Sequence, residues 1–154
     1  MRSKSKTILY SGFLSGTLDI LAAIVIYAVI LHQTTAVKIL QSIASGIFKQ
    51  EAYTSGSKMA FYGLLLHYFI ALVFAYIYFK IYPYFPILRK NIFLSGLIYG
   101  LFVWVVMNLI VLPAVFSKLP DKQFDFPLLL SILILIFCIG LPISYITRNF
   151  YEKH

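Results

Sequence analysis

The chain has 154 residues, 61% of them hydrophobic and 12% charged, with a mean hydropathy of +0.90, whereas soluble domains run at about 45–50% apolar and about 25% charged. About 94 apolar residues against 18 charged ones exclude a water-solvated globule, because too little polar surface is left to cover it. The net charge of +8 comes from basic residues that lie outside the apolar runs, the pattern of membrane flanks rather than of a nucleic-acid surface.

Residues 8–31 form the first apolar run, preceded by Arg2, Lys4 and Lys6 and interrupted by one charge, Asp19. It is longer than a signal-peptide core, and His32-Gln33-Thr34-Thr35 offers no small-residue cleavage site, so it reads as an uncleaved first span. Residues 36–49 follow with an apolar face of Ala36, Val37, Ile39, Leu40, Ile43, Ala44, Ile47 and Phe48 and a polar face of Lys38, Gln41, Ser42, Ser45 and Lys49. This segment is too short to span, so it is expected as an amphipathic interfacial or re-entrant helix. Ser55-Gly56-Ser57 then marks the turn into the second span.

Residues 59–79, 92–116 and 126–147 are uncharged runs and supply spans two to four. Backbone groups in hydrocarbon must be satisfied within the segment, and none of these runs alternates like a barrel strand, so each is helical. The expected fold is all-α: a polytopic single domain of four transmembrane helices plus the amphipathic helix between the first two. Short connections make consecutive spans antiparallel neighbours. Eight Lys and Arg on the side of the termini against five on the other predict cytoplasmic N- and C-termini. Tyr53, Tyr82, Tyr84 and Tyr151 fall where interfacial aromatic belts are expected.

Helices in lipid associate through small residues and interhelical hydrogen bonds. Gly12 and Gly16 share a face of span one with Ser15, Asp19, Ala22 and Ala23, so the carboxyl is expected to face protein. Gly63 stands with Ala60, His67 and Ala71 on span two, and Gly96 and Gly100 open span three. Asp19, His67 and Asn108 fall roughly 16, 20 and 24 Å from the same ends of their helices, with Trp104 one turn from Asn108 as an indole donor. They are therefore candidates for an intramembrane polar cluster, and an ionisable group at that depth is a functional candidate by default. The competing reading is that these groups only hold the helices together.

Other chemistries have weaker signals. His32, His67 and His154 stand at mismatched depths for haem ligation, and Cys138 is the single cysteine, so no metal or cofactor is expected. Pro113 and Pro142 are expected to disturb their helices. Asp121 and Asp125 with Lys118 and Lys122 read as a solvated connection. No nucleophile elbow, phosphate loop or zinc motif occurs, so no enzymatic activity is expected.

The stretch His67-Tyr68-Phe69-Ile70-Ala71-Leu72-Val73-Phe74-Ala75-Tyr76, the Tyr82-Pro83 ending, the Gly96-x-x-x-Gly100 opening and the Leu112-Pro113 exit resemble the YagU-like family of small bacterial inner-membrane proteins. The likeness covers spans two to four; span one and the amphipathic segment do not match. It implies an inner-membrane location and assigns no catalytic residues. Two functional readings stay open: an oligomer enclosing a polar pathway that moves or senses a small solute or protons, and a structural or accessory subunit packed on a partner membrane protein.

Overall fold

The computed structural model describes residues 3–116 and 125–153. Arg2, Lys118, Asp121, Lys122 and His154, which figure in the reading of charge and ligands above, lie outside the described residues. Among the described residues there are helices and no strands. Four helices are long and apolar enough to cross a membrane: Lys4–Ile30, Gly56–Tyr84, Ile92–Val115 and Phe126–Tyr151. They are called spans one to four. The chain is an integral, multi-pass membrane protein of all-α class.

Local chemistry sets where most of these helices start. A helix leaves its first N–H groups without partners, and a Ser, Thr, Asn or Asp side chain just before it can accept from them. Ser3 Oγ accepts from the Lys6 amide at 3.3 Å, and Asn91 Oδ1 accepts from Phe93 at 2.8 Å. Asp125 Oδ1 likewise accepts from Leu128 at 2.9 Å, so this carboxylate caps span four. Span two starts instead at Gly56, whose φ of +59° is left-handed and suits a residue without Cβ. The helices outrun the apolar runs at several ends, because hydrogen bonding propagates past the hydrocarbon boundary.

Three spans contain π-helical stretches, Ile24–Ile30, Val106–Val111 and Leu135–Gly140. Two of them run directly into the turns that begin Leu112-Pro113 and Leu141-Pro142. Proline lacks an N–H and crowds the carbonyl four residues back; a widened turn before it relieves both.

Span one packs on span two and on span four, and span three packs on span four. Tyrosines join spans two and three across the middle. Tyr99 donates to the Phe74 carbonyl, Tyr78 and Ser95 share a hydroxyl hydrogen bond, and the two rings meet edge-on at 4.6 Å. This core, with Val103, Ile139 and Ile143, lies in the half of the bundle nearest the chain ends. Tyr82 belongs to it: it is 3% exposed and stacks on Tyr151 at 5.2 Å, whereas Tyr84 and Tyr53 are exposed as a belt residue should be.

Glycines set the closest approaches. A Cβ on Gly140 would strike the Gly96 carbonyl oxygen and the Gly100 backbone, and one on Gly100 would strike the Ile136 backbone. Gly12 faces Leu72 and Ala75 of span two. Large apolar side chains such as Phe69, Phe93, Leu109 and Phe137 point outward, while Thr7, Ser11, Ser15, Ser95, Ser144 and Thr147 are buried. That arrangement is what a lipid solvent favours, since lipid leaves apolar surface at no cost and penalises unpaired polar groups.

The amphipathic segment forms the helix Ala36–Phe48, capped by Thr35. It lies against span two, where a Cβ on Gly63 would collide with the Leu40 carbonyl. Its burial cuts across the two faces of the sequence pattern. Gln41, Ala44 and Ser45 are buried, whereas Val37 and Ile47 are exposed. Gln41 donates to the Gly56 carbonyl at 3.0 Å, and the Ser45 hydroxyl meets that of Tyr53 at 3.2 Å. An apolar face turns inward when the surroundings are water; against lipid it is the polar face that needs partners within the protein. Lys49 at the end of this helix adopts a positive φ of 52° and donates to the Val115 carbonyl at 2.7 Å. The helix thus bridges spans two and three at the end of the bundle away from the chain ends, and is called the cap helix below.

Candidate functional site

Asp19 is eleven residues before Ile30, and His67 is eleven residues after Gly56, on antiparallel spans. At about 1.5 Å per residue both stand about 16 Å from the same end of the bundle. Their side chains meet: His67 Nε2 is 3.9 Å from Asp19 Oδ2, with 12% and 18% of the two side chains exposed.

The histidine is fixed by a second contact. Its Nε2 lies 2.8 Å from the Gly16 carbonyl oxygen, and because a carbonyl only accepts, Nε2 carries a hydrogen and donates it. Gly16 makes this reach possible. A Cβ there would press on Ala71 Cβ at 3.0 Å and the Tyr68 ring at 3.1 Å, so a larger residue holds span one off and takes its carbonyl away from the ring. At the next residue of each span the Thr17 hydroxyl meets Tyr68 OH at 2.8 Å, and the Tyr68 ring stands edge-on to His67 at 5.7 Å.

Nε2 is thus committed to Gly16, and the carboxylate sits just beyond direct hydrogen-bond distance of it. A proton arriving on the ring occupies Nδ1 and makes an imidazolium beside Asp19, which attracts it. The arrangement can therefore hold one proton on either partner. Among the described residues, no three His, Cys, Asp or Glu side chains gather as a metal site would require.

The other two candidates of the sequence-derived cluster sit on span three, which packs on span four rather than along the seam between spans one and two. Trp104 Nε1 donates to Ser131 Oγ at 2.8 Å and so ties spans three and four. Asn108 is half-buried one turn further on, in the π-helical stretch Val106–Val111.

A row of hydroxyls leads from the chain-end side toward the Asp19 pair. Thr7, Ser11 and Ser15 follow one another at four-residue spacing on span one, ahead of Asp19, and each is 2% exposed or less. Thr7 donates to the Ser3 carbonyl and Ser11 to Ile8. Ser15 Oγ, with Ser144 Oγ and Thr147 Oγ1 of span four, is buried with no hydrogen-bond partner among the described residues. The Ser144 hydroxyl approaches Tyr78 without the geometry of a hydrogen bond. A single serine carries no periodic hydropathy signal, and only Ser15 of these stood on the small-residue face read from the sequence; the four-residue spacing of Thr7, Ser11, Ser15 and Asp19 extends that face.

Comparison of the chain with family models, with curated proteins and with solved structures finds no match.

Proposed function

We propose that this chain is a non-enzymatic protein of a bacterial inner membrane, with cytoplasmic termini, that passes or senses protons at Asp19 and His67. The observation that carries the reading is the ionisable pair itself, 3.9 Å apart at matched depth and not fully enclosed. A charge at the centre of a bilayer costs about 2.5 kcal/mol or more, and a pair that is needed only for packing is replaced at less cost by small residues and hydroxyls. The hydroxyls of Thr7, Ser11 and Ser15 support the same reading. They supply polar groups along span one, and a buried hydroxyl without a partner among the described residues, as at Ser15, is a group that ordered water satisfies. The bias of Lys and Arg and the resemblance to the YagU-like family support the location. Assembly into a homo-oligomer is part of the proposal, since part of the Asp19 side chain, 18%, stays exposed in the single chain.

The test is proton flux into vesicles holding the purified chain, under an imposed pH gradient with potassium and valinomycin to clamp the potential. Flux above that of protein-free vesicles is expected, and it should fall to the protein-free level in Asp19→Asn and in His67→Ala while both variants keep their helicity and assembly. Equal flux with and without protein, or flux unchanged by both substitutions, overturns the proposal. That result leaves the accessory-subunit reading, for which the interhelical contacts Thr17–Tyr68 and Trp104–Ser131 are then simply packing.

A further inference from the structure

Spans one and four touch along their buried hydroxyl faces and part on the outside, leaving a cleft of about 880 Å³ between them. Leu14 and Leu18 of span one and Leu141 and Pro142 of span four line its deep part; Asn149 and Lys153 line it at the chain-end side. The helix from Leu141 ends at Tyr151, just before Lys153, and its ten-residue rise of about 15 Å matches one leaflet of a hydrocarbon core about 30 Å thick. Apolar walls through one leaflet, ending on a cation at its surface, fit a single lipid lying along the bundle.

The charge at that end selects the headgroup. Arg148 is engaged by Glu152 at 2.6 Å, so Lys153 is the cation that faces the cleft, and Lys4 and Lys6 begin span one on the same side. We propose that this cleft binds one anionic glycerophospholipid, its acyl chain against Leu14, Leu18, Leu141 and Pro142 and its phosphate on Lys153 and Asn149. A lysine held at a membrane surface favours an anionic lipid by about fivefold.

The test is native mass spectrometry of the full chain in detergent, with phosphatidylglycerol or phosphatidylcholine of identical acyl chains added. The wild type is expected to retain one phosphatidylglycerol about fivefold more tightly than phosphatidylcholine. Lys153→Gln, a substitution of an exposed side chain, should abolish the preference, and Lys58→Gln at the opposite end of the bundle should keep it. Leu14→Trp, which fills the deep part, should lose both lipids; Leu14→Met serves as the control that keeps the volume. A preference that survives Lys153→Gln overturns the proposal, as does competition by millimolar inorganic phosphate, which would mark a site for free anions. Efficient disulfide formation between copies carrying Tyr145→Cys in a Cys138→Ser background also overturns it, because the cleft is then covered by a second copy.

Discussion

Around Tyr78 and Tyr99 the spans close on glycines and hydroxyl-bearing residues, whereas toward the cap helix neither the stretch Ile24–Ile30 nor Val106–Val111 buries a single residue. The two halves draw on the same apolar residue types, so hydrophobicity does not account for the difference. In lipid, apolar surface gains nothing by leaving its surroundings, and helices approach only where small residues let backbones touch or polar groups need one another. Gly96, Gly100 and Gly140 provide that contact near the chain ends. In the other half the spans diverge, and the cap helix is inserted at Gly63 to meet them. Asp19 and His67 lie between these regimes, where span one still touches span two through Gly16.

The contrast is broken most severely at Gly140. Its added Cβ meets the backbone of span three, which has no side chain to move aside, so Gly140→Val should cost about 3 kcal/mol, the upper end of overpacking. Thermal unfolding in detergent should show the loss across the whole molecule. Gly63→Val also meets backbone, yet the cap helix can leave without dismantling the spans. A smaller loss of about 2 kcal/mol is expected there, with hydrogen exchange rising over Ala36–Phe48 and unchanged around Tyr78; equal exchange in both regions would show that the halves are one cooperative unit. The smallest effect tests the tight half through a single hydroxyl. Tyr99→Phe removes the hydrogen bond to the Phe74 carbonyl while keeping the ring contact, and should cost about 0.6 kcal/mol, the average for interhelical bonds in membranes.

Much of the candidate site was visible along the chain, and the part that was not has a definite cause. Asp19 and His67 drew notice because each is alone among apolar residues and each stands beside glycine at helical spacing, a property of its own span. Trp104 met the same depth criterion, but depth does not say which span is the neighbour. Span three turned to span four, so Trp104 found Ser131. The cap helix teaches the related lesson. Its period predicted a helix with two faces, but the period does not say which residues find partners within the protein; Gln41 and Ser45 of the polar face do.

The sequence by itself determined the four spans, the helical class and the small-residue stripes, because hydropathy and length act within a few turns of one segment. Tertiary structure alone decided that Gly16 admits His67 to its carbonyl across 51 residues of chain, that tyrosines join spans two and three, and that lone hydroxyls collect between spans one and four. Those outcomes depend on which helices come close enough for backbone contact, and in a bilayer that choice rests on shape and on the pairing of polar groups, which no single segment carries.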